Sequence, residues 1–513
     1  MLSTAVSSVP WHEAVSIVGV IVLIPLVIFY LFPLDVWYHT FASWKKAFDD
    51  EKPNDINEYI HNSQELFKQG LSKANVFRIF SDNGIKTILA PKFANEIAKS
   101  PILNFTKIIE TEFHANVKGF SPFGELAKRE DIFVDAVRIK LTQALGSITK
   151  PLSEETSISL RNRWTDNEEW HDLSLKQSIL EIVAQLSSRV FLGEKICRNP
   201  DWLRITVDYT VNAFQAGNKL RLWPELTRPV VAYFLSSTRK VQHQLREAER
   251  IIKPVLDERK RDKEIALKEG KELPRYNDAI DWLEQVSKGR PYDPAALQLT
   301  FSWVAIHTTS DMVTQAIYDL CERQELVEEL RKEAISVVSS EGWKKSAMYK
   351  LQLMDSFLKE SQRMKPISNV SMRRIVGKDF ELSDGTNIPK GVQLMVSADW
   401  HWNSDFYENP LVFDPYRFLK MKQIPGRESH AHLVSPSPEH MGFGYGNHAC
   451  PGRFFAVNEI KILLCHLLLK YDLKPAEGSV PTVLRYGVAM NSDPQAKISI
   501  RRRHEEIVLE EIS

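Results

Sequence analysis

The sequence has few cysteines and no excess charge of either sign. Only four cysteines occur in 513 residues, and none forms a C-x-x-C pair: Cys197, Cys321, Cys450 and Cys465. A disulfide framework or a four-cysteine zinc site is therefore a poor interpretation, and unpaired cysteines suit a reducing compartment. Basic and acidic residues both number 66, so there is no net positive charge to attract nucleic acid, and we expect no such partner.

Basic residues are absent from the N-terminal region until Lys45. Residues 14–32 form an uncharged apolar run that would span about 28 Å as a helix, enough for the hydrocarbon core of a bilayer. A cleaved signal peptide, the alternative, needs a basic segment before the apolar run. We therefore expect a lumenal segment at 1–13, a transmembrane anchor at 14–32 and a linker at 33–60. Because Lys45 and Lys46 follow the anchor, residues 61–513 should form a cytosolic domain.

Helical patterns dominate this predicted domain, and strands are fewer. Asp293 followed by Pro294 is a good helix start, and the pattern can continue to about Glu322 as a long, buried helix. Turn signals within residues 371–391, the run "GVQLMVSADW" and the run "LRYGVAMNS" predict short strands. The fold class is therefore mainly α with a minor β portion.

The stretch "MGFGYGNHACPG" contains four glycines and one cysteine between Met441 and Gly452. It fits the dinucleotide pattern G-x-G-x-x-A, but that motif must follow a buried strand, and the preceding "HLVSPSPEH" has two prolines and no strand pattern. A zinc site would need Cys450 and His448 together with later residues, and no spacing matches a ligand set. Neither alternative accounts for the stretch.

A thiolate site is the third interpretation. Cys450 precedes a long apolar helix that should run from about Arg453 to Tyr471. Free N–H groups and the positive end of the dipole at a helix start lower a thiol pKa, and the upstream glycines allow the backbone to turn around the sulfur. Such a sulfur can serve as an axial haem ligand.

The cysteine stretch resembles the signature F-x-x-G-x-R-x-C-x-G of the cytochrome P-450 superfamily of haem-thiolate monooxygenases, through Phe443, Gly446, His448, Cys450 and Gly452. From the resemblance, these residues bind the cofactor, haem b (iron protoporphyrin IX), and Cys450 is its axial iron ligand. The similarity extends from about Asp49 to the end of the chain and implies the cytochrome P-450 fold.

Two further motifs support the resemblance. Glu360-x-x-Arg363 is similar to the family's E-x-x-R helix motif, and Arg417 in "FDPYRF" is similar to the arginine of its P-x-R-F element. The resemblance implies that these three side chains form a buried ion network behind the haem. Because breaking a buried pair is costly, their role should be structural support of the cysteine loop.

The long helix carries "VAIHTT", which is similar to the family motif A-G-x-(D/E)-T-T. Thr308 then corresponds to the threonine that helps protonate iron-bound dioxygen, and Ala305 takes the place of the small residue beside the haem. His307 occupies the place of an acid. It can relay a proton near neutral pH, or it can be a core histidine that only hydrogen-bonds a partner.

Basic side chains should bind the haem propionates. The resemblance assigns this role to His448, where most members have arginine, and to Arg374 in "SMRRIVGKDFEL". Arg138 is similar to the arginine of a W-x-x-x-R helix motif, but position 134 is valine, so a surface arginine is the alternative.

The resemblance implies insertion of one oxygen atom from O2 into an apolar small molecule, with electrons from NADPH through a separate, membrane-bound reductase. It also implies a single-pass protein of the endoplasmic reticulum membrane, like ascomycete members that oxidise terpenoids, indole diterpenes and related secondary metabolites. Apolar substrate walls are expected near residues 113–123, 211–223, 301–309, 367–372 and 487–490. The alternatives are a haem-thiolate enzyme that desaturates, rearranges or expands a ring, and a non-catalytic membrane haem protein.

Overall fold

Helices form most of residues 53–512, the part of the chain that the computed structural model describes. A π-helical segment, Ala136–Leu141, joins the helix Glu130–Asp135 to the helix Thr142–Trp164. The α-helices in chain order are α1 Ile56–Lys73, α2 Ala94–Lys99, α3 Thr106–Glu112, α4 Ser121–Lys128, α5 Glu130–Asp135, α6 Thr142–Trp164, α7 Leu175–Leu192, α8 Glu194–Cys197, α9 Pro200–Arg221, α10 Arg228–Phe234, α11 Ser236–Lys268, α12 Ala279–Ser287, α13 Pro294–Cys321, α14 Gln324–Glu341, α15 Lys345–Lys350, α16 Gln352–Met364, α17 Arg417–Met421 and α18 Arg453–Lys470. The predicted mainly α class is confirmed.

The strands form small sheets beside the helices. The strands in chain order are β1 Val76–Ser81, β2 Gly84–Leu89, β3 Leu103–Asn104, β4 His171–Ser174, β5 Val370–Val376, β6 Phe380–Glu381, β7 Asn387–Ile388, β8 Gln393–Ser397, β9 Tyr471–Pro475, β10 Leu484–Tyr486, β11 Ala489–Asn491 and β12 Lys497–Arg502. The largest sheet has the order β1-β2-β8-β5-β3, in which β2 and β8 are parallel and the other neighbours are antiparallel. The three-stranded sheet has the order β4-β12-β9, and β6-β7 and β10-β11 form two separate two-stranded sheets.

Helix α1 begins within the predicted linker, and the boundary of the domain at residue 61 stays a prediction. The carboxylate of Asp55 caps the helix by accepting a hydrogen bond from the backbone N–H of Asn57 at 2.6 Å, so the helix begins at Ile56. The predicted anchor at 14–32 lies outside the described residues. Within residues 53–512, no helix is long and apolar enough to cross a membrane.

Helix α13 crosses the interior and was predicted to within one residue of its end. Asp293 caps it by accepting from the N–H of Ala296 at 3.0 Å. Phe301 contacts Phe133 of α5 and Phe191 of α7, with ring centroids 4.7 and 4.8 Å apart. Most of the helix is buried, as its apolar sequence predicts.

Helix α18 packs beside α13 and is buried along most of its length. Phe455 of α18 contacts the same Phe191 that touches Phe301, so one aromatic group connects the two helices. Glu459 is fully buried, and burial raises the pKa of its carboxyl to about 8. It accepts a hydrogen bond from Ser187 at 2.9 Å, and therefore enters the core as a neutral acid. This packing fixes the start of α18, where the cysteine loop ends.

Candidate active site

The cysteine loop is held in shape by its own backbone. The N–H of Cys450 donates to the carbonyl of Phe443 at 2.8 Å, and the N–H of Ala449 donates to Gly446 at 3.0 Å. Gly446 has a φ of 74°, and a Cβ there would lie 2.4 Å from the Cβ of Ala98. Glycine is therefore required at this position for conformation and for space.

The sulfur of Cys450 receives backbone hydrogen bonds at the start of α18. The cysteine is half-buried, and desolvation raises the pKa of its thiol, while N–H groups of Gly452 and Arg453 and the charge of Arg453 act in the opposite direction. These donors are oriented to stabilise a thiolate. A metal ion bound to the sulfur would remove the thiol proton outright.

A buried carboxylate lies behind the loop between two guanidinium groups. Glu360 accepts two hydrogen bonds from Arg363, each of 2.8 Å, and two from the Nε of Arg417, each of 3.1 Å. The side chains of Glu360 and Arg363 have no exposed surface. The backbone N–H of Asp414 donates a further hydrogen bond at 3.0 Å, so each oxygen of the Glu360 carboxylate accepts at least two hydrogen bonds.

His401 connects this ion network to the cysteine loop. Arg363 donates to the His401 carbonyl at 2.5 Å, and His401 Nδ1 lies 3.3 Å from the Arg363 carbonyl. The other ring nitrogen, Nε2, accepts from the N–H of Met441 at 2.9 Å. Burial lowers the pKa of His401 to about 3, so the ring is neutral and these two bonds define its tautomer. Three sequence-distant segments are thus joined through one imidazole.

The exposed face of α13 carries Thr308. Its Oγ1 donates to the Val304 carbonyl at 2.9 Å, and Val304 and Thr308 are exposed on a helix whose other sides are buried or half-buried. Ala305 is half-buried between them and packs against the main core. Because the side chain of Ala305 is a single methyl group, it leaves space on this face of the helix next to the hydroxyl of Thr308.

His307 points from α13 towards α9. Its Nε2 lies 3.3 Å from the carbonyl of Val207, and burial lowers its pKa, so the neutral ring donates to that carbonyl. The sequence allowed two roles for His307, a proton relay or a core histidine that only hydrogen-bonds a partner. The hydrogen bond to Val207 agrees with the second role. The relay role stays a prediction.

Arg374 is buried without an ion pair. Its alternating position on β5 places it on the buried face, next to a bulge between Ser371 and Arg374. Burial lowers the pKa of its guanidinium to about 10, and its hydrogen bond is to the Arg373 carbonyl at 2.7 Å. Among residues 53–512, no carboxylate pairs with it directly. A buried guanidinium that has Glu130 nearby but no carboxylate in direct contact fits an anionic group such as a haem propionate.

The donor set as a whole fits a haem. The loop offers a half-buried thiol with backbone donors, and the buried guanidinium of Arg374 offers a partner for a carboxylate. His448 lies near this arginine. Its ring packs at a tilt of 37° against Phe105, with centroids 5.2 Å apart, and its Nδ1 lies 3.4 Å from Glu130. Arg138 is exposed and reaches the Asn447 carbonyl at 3.4 Å, so it contacts the loop backbone.

Aromatic side chains from three of the expected substrate regions, 113–123, 211–223 and 301–309, contact one another beside α13. Phe113 stacks on Phe123 at 5.0 Å and contacts Phe214 edge-on at 5.5 Å. Trp303 meets Phe113 at 5.1 Å and Phe123 at 4.6 Å. A small cavity lies against this aromatic wall, with Glu112 and Arg221 at its polar side. These four rings, Phe113, Phe123, Phe214 and Trp303, are called the aromatic wall below.

The two remaining expected substrate regions are also adjacent. The N–H of Asn369 donates to the Val488 carbonyl at 3.0 Å, and the N–H of Met490 donates to the Ile367 carbonyl at 3.0 Å. The turn between β10 and β11 is thereby fixed beside the segment that enters β5.

The fold and the cysteine loop define a protein of the haem-thiolate class, and the family comparison agrees. Residues 44–498 match the family model described as cytochrome P-450, so the chain belongs to the cytochrome P-450 family. Several of its relatives are named monooxygenases, and the chain is a cytochrome P-450 monooxygenase. The family implies a haem cofactor, O2, a reductase partner and an organic substrate.

Similar proteins come from fungi. The chain is 52% identical to cytochrome P-450 monooxygenase adrA of Penicillium rubens, over 88% of each chain. It is 46% identical to cytochrome P-450 monooxygenase trt6 of Aspergillus terreus, over 89% of this chain and 93% of the relative. Among solved structures, retinoic acid-bound cyanobacterial CYP120A1 matches with a TM-score of 0.64 at 17% identity, over 86% of this chain and 95% of that chain, which shows the shared fold.

Two residues that support the site, His401 and Lys359, belong to no recognisable motif in the sequence. His401 follows a strand in a run of mixed polar and aromatic residues and belongs to no spacing motif. Lys359 is buried and donates to the carbonyls of His430, His432 and Ser435, which shapes the segment before the cysteine loop. Lys359 directly precedes the E-x-x-R motif, which begins at Glu360, and the motif does not include it. No motif in the sequence therefore selects Lys359 or His401.

Replacing His401 with phenylalanine should loosen the cysteine loop. The variant leaves the buried N–H of Met441 without its acceptor, which costs about 1–3 kcal/mol in the free energy of unfolding. We expect a lower unfolding midpoint and, in the reduced, carbon monoxide-treated holoprotein, a smaller fraction with the thiolate-type Soret shift. His504→Phe changes an exposed histidine and serves as the control. A His401→Phe protein that matches the wild type in both measurements would contradict the proposed link.

Proposed function

We propose that this monooxygenase inserts one oxygen atom from O2 into an apolar polycyclic small molecule, of the terpenoid, indole diterpene or related fungal secondary-metabolite class. The aromatic wall carries the proposal. It reaches α13 at Trp303, five residues or about 7.5 Å of helix rise before Thr308. A large apolar substrate packed against the partly exposed rings of Phe113, Phe214 and Trp303 would lie beside α13 and would present a C–H bond near the threonine hydroxyl.

The cofactor roles follow from the donors described above. Cys450 would ligate the haem iron, with Phe443, Gly446 and Gly452 shaping the loop, and His448 and Arg374 would bind the propionates. Haem held by a thiolate supplies the chemistry of O–O bond cleavage. Glu360, Arg363 and Arg417 act only by holding the loop in place.

Thr308 would hold and pass a proton near the reacting centre. Its hydroxyl already donates to the carbonyl of Val304, so its oxygen is oriented to accept a proton or a hydrogen bond from the exposed side of α13. Ala305 leaves the space beside this hydroxyl free of side-chain bulk. In this proposal His307 is bound to α9 through Val207 and takes a lesser part, as an orienting group in the same helix turn.

We also propose that residues 14–32 anchor the chain in the endoplasmic reticulum membrane with the catalytic domain in the cytosol, and that NADPH supplies electrons through a membrane-bound reductase. The uncharged run at 14–32 and the two lysines after it support this orientation. Extraction of membranes with alkaline carbonate checks the anchor: the full chain should stay in the pellet, and release to the supernatant contradicts it.

Labelled dioxygen tests the reaction. The full-length holoenzyme, with a reductase and NADPH, is incubated with a panel of terpenoid and indole diterpene substrates and with a linear fatty acid of similar mass. We expect one labelled oxygen in the product of a polycyclic substrate and a weaker response to the fatty acid. A product without the label contradicts oxygen insertion and indicates desaturation or rearrangement. Turnover of the fatty acid alone contradicts the substrate class.

Removing the Thr308 hydroxyl should lower the amount of product that is formed for each NADPH consumed. In Thr308→Ala, we expect product per NADPH to fall by about tenfold or more, because a positioned proton donor typically contributes at least that much to rate. Thr308→Ser keeps the hydroxyl and should retain most of the coupling. The measurement is product against NADPH consumed in the same reaction. Full coupling in the alanine variant would show that Thr308 does not deliver the proton.

A further inference from the structure

Arg221, the last residue of α9, has one nitrogen that bonds to no group in the described part of the chain. Its Nη1 donates to the carboxylate of Asp82 and to the side chain of Asn218, each at 3.0 Å, and its Nη2 donates to the backbone carbonyl of Glu112 at 2.9 Å. The Nε is buried and has no hydrogen-bond partner among residues 53–512. Because a buried N–H without an acceptor is costly, this donor suits a partner that comes from outside the chain.

A cavity beside this arginine has the size of a single oxygen atom. Its volume is about 10 Å³, which is the space of about one water molecule. Arg221 and Glu112 form its polar side. Three rings of the aromatic wall also line it: Phe113, Phe123 and Phe214. The arginine with the unpaired donor and the aromatic wall therefore border the same small space.

The charges around Arg221 do not cancel. Glu112 accepts hydrogen bonds from Lys86 at 3.0 Å and from Arg373 at 3.3 Å. Burial raises the pKa of the Glu112 carboxyl, but the neighbouring cations outweigh burial and lower that pKa, so the group is ionised. Asp82 is the other carboxylate in this set of contacts, so three cations share two anions. A positive charge in excess favours an acceptor oxygen as the occupant of the cavity.

The size of the cavity restricts what it can hold. A space for about one oxygen atom excludes a carbon ring, but it admits a carbonyl oxygen attached to a ring that packs on the aromatic wall. A site built to hydrogen-bond an oxygen discriminates against the analogue that lacks it, because the buried donor is then left unpaired. Arg221 is thus suited to select among apolar molecules of similar size.

We propose that Arg221 is a specificity-determining residue whose Nε donates to a carbonyl-type oxygen of the substrate, from a carboxylate, ester or ketone, seated in the small cavity. This inference rests on the proposed function, in which an apolar polycyclic molecule packs on the aromatic wall. It adds that this molecule carries an oxygen acceptor away from the C–H bond that is oxidised. The bonds of Arg221 to Asp82 and to the Glu112 carbonyl fix the direction of Nε.

Three tricyclic diterpenoids with one carbon skeleton test the proposal: abietic acid, methyl abietate and abietadiene, which has a methyl group in place of the carboxyl. Their dissociation constants for the full-length holoenzyme are measured from the substrate-induced Soret shift. For each protein, the ratio of the constant for abietadiene to that for an oxygenated probe gives the preference for oxygen, so a general loss of affinity cancels. In Arg221→Met, we expect this preference to fall by about tenfold, as for loss of a hydrogen bond to a charged group.

Arg228→Met is the matched control. This nearby arginine donates to the Trp223 carbonyl at 3.0 Å and lies outside the cavity lining, so the preference should be unchanged. Gly217→Ala is a second test, which does not depend on the folding of Arg221→Met. It adds a methyl group to the cavity lining, 3.4 Å from the ring of His114, and removes none of the side chains that bond Arg221. Because the cavity has space for about one oxygen atom, this variant should also lower the preference.

The two oxygenated probes distinguish the kind of acceptor. Tighter binding of the acid identifies a carboxylate, binding of the ester at least as tightly identifies a neutral carbonyl, and both results support the proposal. An unchanged preference in Arg221→Met or in Gly217→Ala, or an equal loss in Arg228→Met, overturns it. The product that the wild type forms from its preferred probe is analysed in parallel for label from dioxygen. A Soret shift with none of the three probes, or a product without label, refutes the proposed function itself, whereas labelled product with an adverse preference refutes only the role of Arg221.

Discussion

The buried carboxylate of Glu360 is the interaction on which the rest of the site depends. It is enclosed by the guanidiniums of Arg363 and Arg417 and by a backbone N–H, with no surface open to water. Removing one partner of such a group leaves an uncompensated buried charge, at a cost of about 3–5 kcal/mol. Because its partners come from α16, from Arg417 at the start of α17 and from Asp414 just before that helix, the carboxylate fixes two parts of the chain that are separate in sequence. The position of the cysteine loop follows from theirs.

A short series of hydrogen bonds connects the Glu360 ion network to the cysteine loop and restrains the loop. Arg363 and His401 bond each other through backbone and ring, His401 accepts from Met441, and the carbonyl of Phe443 accepts from Cys450. Each step links a polar group that would be costly to leave unpaired in the core. The result is a sulfur held in one place by groups that never touch it. Such indirect support matches the general need of a metal ligand for oriented outer partners.

The site divides into regions of different chemistry. Aromatic rings form the side above α13, where Trp303 and Phe123 meet at 4.6 Å, and few charged groups line this wall. The rim near the cysteine loop is polar, with Arg374, His448, Glu130 and Thr106. An amphiphilic cofactor with an apolar macrocycle and two carboxylates suits this division. The substrate side accepts apolar surface, and the rim accepts charge.

By itself, the sequence determined the features that local spacing encodes. Glu360 and Arg363 are three residues apart and must share a helix face, Asp293 and Pro294 mark the start of α13, and the cysteine signature identifies the family. Only the tertiary structure decided which distant groups meet: His401 with Met441, Glu130 with His448, and His307 with Val207 of α9. It also decided that α1 begins at Ile56, before the predicted end of the linker. The physical reason is that helix periodicity and capping act over a few residues, whereas contacts between separate segments depend on how whole helices and strands pack.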